Sequence, residues 1–334
     1  MLPKFDYNVC NEETTRYRRT HPSEDIRDVE NTLNQLYGAW RTILCNSGME
    51  AIHTAFDLIR PKTVIVDDET YFETRHYLTY RGMCKVTQIH DLDDREALEK
   101  ALILAEAPCV VCGDTPTTFG TWKDVGSMAR LAHTYGAYVM IDNSIASLDG
   151  YNPIKDGADI CVESYTKYVC GHGDTFAGGI ALADSMKWID DVPVPVPCPG
   201  MKSIDWILSR RGNVPDHRAA YMVRRGLETL PIRMQRHRSS ASMIFIWLIE
   251  HHVKAFYSGK GGLITLPGKG ETFCRSLKKF KTMGTFGCTY SNADFFRSDA
   301  NYKAGVCARL SVGLEDPREL LEDVKQAIEK EDHL

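Results

Sequence analysis

The chain has 334 residues, a length that predicts about two domains. Forty basic against 45 acidic residues leave a net charge of −5, which excludes the strongly basic footprint of a general polyanion binder, so no nucleic-acid partner is expected. Hydrophobic residues make up 43% and aromatics 10%, enough for a sizeable core, and no apolar run nears the roughly 18–20 residues that span a bilayer.

Residues 1–21 carry no apolar h-region, so a secretory leader is not expected. Strand-like runs follow at 63–67 (TVIVD), 86–90, 109–112 (CVVC), 137–141, 160–163 (ICVE) and 178–183. Helical patterns lie between them at 48–59, 94–106 and 122–135. Short apolar strands alternating with helices predict an α/β fold with a mostly parallel sheet flanked by helices. Residues 190–200, with four alternating prolines, read as a stiff surface loop. A long helical stretch at 217–250 leads into a smaller α+β segment that closes with a helix at 316–330. Eleven cysteines, odd in number and scattered through apolar runs, read as reduced thiols in a cytoplasmic protein. The Cys109/Cys112 pair lies inside a strand-like run, without a second Cys or His pair, so no metal or redox site is expected there.

In open α/β sheets, ligands bind beyond the carboxyl ends of the strands. Polar clusters stand at those ends. Asn46-Ser47-Gly48-Met49 opens helix 48–59, and Tyr71 follows strand 63–67. Asp114 and Thr115 follow 109–112, Asp142-Asn143-Ser144 ends 137–141, and Ser164-Tyr165-Thr166-Lys167 ends 160–163. Alone, Lys167 would be an ordinary surface charge, Asp142 a cap, Gly48 a turn glycine and Tyr71 a half-exposed aromatic. Together they match the needs of a lysine that forms a Schiff base with a pyridoxal cofactor. Gly48 and Met49 offer N–H groups at a helix N-terminus for a phosphate, with Ser164 and Thr166 nearby. Asp142 offers a carboxylate for the pyridine nitrogen, and Tyr71 offers a ring face.

The order and spacing of these residues resemble the cystathionine γ-synthase-like (Cys/Met metabolism) family of pyridoxal-phosphate enzymes, of the aspartate-aminotransferase superfamily, fold type I. Ser47-Gly48-Met49-Glu50-Ala51-Ile52 is similar to the family's SGMxAI, and Asp142-Asn143-Ser144 to its DNT. Ser164-Tyr165-Thr166-Lys167-Tyr168 with Gly171-His172-Gly173-Asp174 is similar to its SxTKYxxGHxD, the most diagnostic stretch. Tyr17-Arg18-Arg19, Asp68 to Tyr71, Arg225 to Leu230 with Arg233, Met234 and His237, and Arg309 to Asp316 are similar to further family motifs.

The resemblance implies pyridoxal 5′-phosphate as cofactor and assigns roles. Lys167 would carry the Schiff base and move protons, and Tyr71 would stack on the ring and assist exchange of the amine. Asp142 would pair with the pyridinium. Gly48, Met49, Ser164 and Thr166 would hold the phosphate, with Tyr17 and Arg19 reaching that of the neighbouring subunit. That makes a dimer the smallest active unit, within a homo-oligomer expected to be a tetramer. Arg309 would grip the substrate α-carboxylate. The implied domains are an arm at 1–22, a large cofactor-binding domain at 23–240 and a small C-terminal domain at 241–334.

Departures from the family pattern mark the substrate side. Phe72 and Glu73 replace paired glycines, and Thr118 stands at an asparagine position that bonds the cofactor's phenolic oxygen. Thr285 replaces a serine, and Gly284 replaces an acid that lines the distal substrate pocket. The loss of that acid argues against a distal ammonium, as in cystathionine. The expectation is therefore a lyase or transferase that eliminates or replaces the γ-substituent of an L-amino acid. β-Elimination is the nearest alternative and a non-catalytic cofactor-binding protein a remote one.

Overall fold

The structure, a computed structural model, describes residues 22–82, 84–193, 202–298 and 305–332. Seven strands form the first sheet: β1 (Arg41–Cys45), β2 (Thr63–Asp67), β3 (Lys85–Ile89), β4 (Cys109–Asp114), β5 (Tyr138–Asp142), β6 (Ile160–Glu163) and β7 (Gly178–Leu182). Their order is β1-β7-β6-β5-β4-β2-β3. β7 runs antiparallel to both its neighbours, and the other pairings are parallel.

Helices α1 (Glu24–Tyr37), α2 (Gly48–Ile59), α3 (Phe72–Arg81), α4 (Arg95–Ile103), α5 (Val125–Thr134), α6 (Ser147–Gly150) and α7 (Ser203–Arg211) belong to this layer. Helix α8 (His217–Glu250) leads into the second, five-stranded sheet. That sheet comprises β8 (Phe256–Tyr257), β9 (Leu263–Pro267), β10 (Lys281–Thr282), β11 (Asn292–Ser298) and β12 (Gly305–Ser311), in the order β10-β11-β12-β9-β8. Helices α9 (Glu271–Ser276) and α10 (Pro317–Asp332) complete it.

The central strands are apolar on both faces because helices cover both. Val110, Cys112, Met140 and Val162 face α2, which buries Ala51, Ile52, Ala55, Phe56 and Ile59 against them. The alternate residues Val111, Val139 and Ile141 face α4 and α5. The first half of α8, with Ala220, Val223 and Leu230, packs with the first sheet, while Ala241, Ile244 and Leu248 pack with the second.

The strands at 63–67 and 160–163 and the helices at 48–59 and 217–250 match their sequence expectations residue for residue. The helix expected at 122–135 starts later, at Val125, because Asp124 caps it by accepting the Ser127 N–H at 2.9 Å. Most of the proline-rich loop lies outside the described residues. No described helix is long and apolar enough to cross a membrane.

Candidate active site

Four neighbouring parallel strands end in acids on one edge of the sheet: Asp67, Asp114, Asp142 and Glu163. Three of them are committed to the local fold. Asp67 accepts the Thr70 N–H at 2.8 Å and pairs with Lys123 Nζ at 2.7 Å. Glu163 accepts the Tyr37 hydroxyl at 2.5 Å and the Ser147 hydroxyl at 2.6 Å. Asp114 accepts the backbone N–H of Tyr71. Asp142 accepts the Ser144 N–H at 2.9 Å and has no cationic partner in contact among the described residues. Burial holds its carboxyl above the usual range. Asp114, opposite it in the β4–β5 register, is pushed up by burial and then by the Asp142 charge. Two carboxylates side by side, Asp114 buried and Asp142 partly so, call for a cation, which a protonated ring nitrogen would supply.

Lys167 lies in the turn after β6. Arg233 of α8 braces this turn, donating to the Tyr168 carbonyl at 2.6 Å and the Val169 carbonyl at 3.0 Å. Gly226 brings α8 so close that a Cβ there would stand 2.0 Å from the Val169 oxygen. Tyr168, fully buried, accepts the Gly262 N–H through its hydroxyl at 2.7 Å. With its backbone thus fixed, Lys167 extends its amine to Thr285 Oγ1 at 3.1 Å, and Nζ stands 4.8 Å from the Phe286 ring centre. Burial, then the Arg309 charge, lowers the amine's pKa, so the neutral nucleophilic form is easier to reach. Tyr71 opens α3 near Asp142, and burial followed by that carboxylate raises its hydroxyl to about 12.

The expected phosphate side is the N-terminus of α2. Ser47 caps it, accepting the Glu50 N–H at 3.1 Å, and Gly48 and Met49 are the next residues of the first turn. A Cβ on Gly48 would stand 2.7 Å from Ser164 Cβ, so only glycine lets the helix end meet the Ser164 strand end. Thr166 is already engaged: its hydroxyl donates to the Ala177 carbonyl at 3.1 Å and accepts the Ala177 N–H at 3.0 Å. Its donor must turn away from Ala177 to serve a phosphate. Tyr17 and Arg19 lie outside the described residues.

On the substrate side, Arg309 of β12 forms a two-point pair with Asp294 of β11, Nε to Oδ1 at 3.0 Å and Nη2 to Oδ2 at 2.7 Å. The Phe286 and Phe296 rings lie 5.7 and 6.0 Å from its Cζ. Phe119 packs against Phe296. Thr118 meets the second sheet through its carbonyl, which accepts the Thr265 hydroxyl at 2.7 Å. Sequence reasoning did not single out Asp294. The two-residue alternation of an antiparallel pair marks facing residues only once the register is known. A cavity of about 500 Å³ lies elsewhere, rimmed by Arg60, Arg81, Arg210 and Arg211, and no residue of this site lines it.

A helix-end cradle, a carboxylate without a cationic partner among the described residues, an aromatic beside it and a desolvated lysine on the carboxyl edge of a largely parallel sheet define a pyridoxal-phosphate enzyme of fold type I. The family model described as Cys/Met metabolism PLP-dependent enzyme matches residues 5–292, and the chain belongs to that family. An L-methionine γ-lyase from Pseudomonas deceptionensis is 27% identical over 98% of this chain and 89% of its own length. A cystathionine β-lyase from Neurospora crassa is 27% identical over 97% and 74%. The crystal structure of a cystathionine γ-lyase from Micromonospora echinospora superposes with a TM-score of 0.85 at 25% identity, covering 98% of this chain and 93% of that one.

Proposed function

We propose that this pyridoxal-phosphate enzyme acts on an L-amino acid bearing a γ-substituent, which it eliminates or replaces, with an uncharged tail such as a thioether favoured over a distal ammonium. Bound in the cradle, the cofactor supplies an electron sink for charge that develops at the substrate Cα. Gly48, Met49 and Ser164 hold its phosphate, Asp142 its ring nitrogen and Tyr71 its ring face. Arg309 orients the substrate through its α-carboxylate.

The observation that carries this reading is the state of Lys167. Its described hydrogen-bond partner is the Thr285 hydroxyl rather than a carboxylate, and burial and Arg309 weaken its hold on a proton. Such an amine can take the Cα proton, pass it on to the bound cofactor and only then, neutral again, swing to take one from Cβ, which loss of a γ-group requires. The tail meets the Phe119, Phe286 and Phe296 rings, while the neighbouring acid Asp294 is committed to Arg309. The remaining assignments belong to the same reading. They are a cytoplasmic homo-oligomer, tetrameric with a dimer as its active unit, Tyr17 and Arg19 serving the neighbouring site, and a domain boundary near residue 240.

The test is deuterium uptake by L-methionine incubated with the holoenzyme in heavy water, read by mass spectrometry. Exchange at both Cα and Cβ is expected. Exchange at Cα alone would replace this reading with a β-lyase, and no exchange would overturn it.

A further inference from the structure

We propose that Asp294 is a positioning residue for Arg309, fixing which edge of the guanidinium meets the substrate and making that grip selective for a carboxylate. The inference rests on the reading that Arg309 receives the α-carboxylate. Asp294 and Arg309 stand directly opposite in the β11–β12 register, so their side chains leave the sheet on the same face. Asp294 takes the Nε–Nη2 edge with both carboxylate oxygens. A guanidinium has five N–H donors, so three remain: one on Nη1 and one on Nη2 form its end edge, and the second on Nη1 points back along the Cδ side. The Phe286 and Phe296 rings both stand close to the group. Arg309 and Asp294 side chains are only 16% and 20% exposed, so water screens the pair weakly.

Two consequences follow for the substrate. The end edge is held ready for a two-point carboxylate contact, so less ordering entropy is lost on binding. The pair is also neutral as a unit, so the grip depends on fork geometry rather than net positive charge. A lone arginine there would gather any small anion. Asp294 also bounds the pocket at Gly284, where a Cβ would stand 3.5 Å from Oδ2. An acid at 284 would set a second negative charge against Asp294, so the two positions cannot both carry acids without cost.

The experiment titrates Asp294→Asn, Arg309→Ala and unchanged holoenzyme with L-methionine and with L-methioninamide, following the visible absorption of the bound cofactor. Inorganic sulfate is then added as competitor, and kcat and KM are measured alongside. Asp294→Asn should weaken L-methionine binding about tenfold, as expected for losing a charge-assisted pair. Its kcat should change much less, the amide should bind as before, and sulfate should compete more strongly. Unchanged L-methionine binding in Asp294→Asn, with Arg309→Ala impaired, would overturn the positioning role alone. Equal losses for acid and amide would also overturn it. Unchanged L-methionine binding in Arg309→Ala would overturn the reading of Arg309 itself.

Discussion

A lysine amine shielded from water, with an arginine charge nearby, gives up its proton more readily than one in water. Lys167 is in that position, beside Thr285 and Phe286 with the Arg309 guanidinium near the same ring. Replacing it with alanine removes the amine but not the Arg233 brace, which grips backbone carbonyls. Lys167→Ala should therefore lose the yellow absorption of the bound cofactor and all turnover while its circular dichroism stays unchanged. Retained turnover would refute the assignment. Lys167, Asp142 and Gly48 were legible in the sequence because each follows or precedes an apolar strand at a loop whose composition is chemically odd. Asp294 was not, since its meaning lies in a cross-strand partner fifteen positions away. Asp114 was seen as a strand-end acid, but its coupling to Asp142 depends on the β4–β5 register.

Elements carry their own constraints. The strands of the first sheet were legible because burial on both faces makes them short continuous apolar runs between helices. The reversed direction of β7 was not legible, because an apolar run reads the same in either direction. Helix α3 gave no stripe to read, since only Thr74 and Leu78 of its ten residues are buried. The approach of α8 to the Lys167 turn rests on one glycine. Gly226→Ala would push the helix from Val169, where an added Cβ has no room. A loss of about 1–3 kcal/mol is expected from overpacking, together with weaker cofactor retention. Chemical denaturation and cofactor dissociation measure the two.

For the whole molecule, pH acts through buried groups remote from bulk water. Burial, opposed by the Ser147 and Tyr37 hydroxyls, raises Glu163 from an ordinary 4.5 to about 7. The folded state therefore binds a proton that the unfolded chain has released. This contribution is fully present below pH 4.5 and is lost as pH rises through 7, on the order of 3 kcal/mol in all. Glu163→Gln should flatten that decline, which melting temperatures between pH 5 and 8 record; an unchanged slope would contradict it. His237, lowered to about 4 by burial, has the opposite sign, and its contribution is lost as pH falls from 6.5 toward 4. The same histidine has a mechanical meaning. Its Nδ1 contacts the Val312 carbonyl at 2.7 Å, just past the strand that carries Arg309, while Gly226 and Arg233 grip the turn that carries Lys167. About three turns of α8 separate Gly226 from His237. One continuous run of helix, with Pro231 inside it, thus works as a gauge block, setting the span between the Lys167 turn and the Arg309 strand. That spacing is inherited from the geometry of the helix, and on the proposed reading an amino acid is measured against it before any chemistry begins.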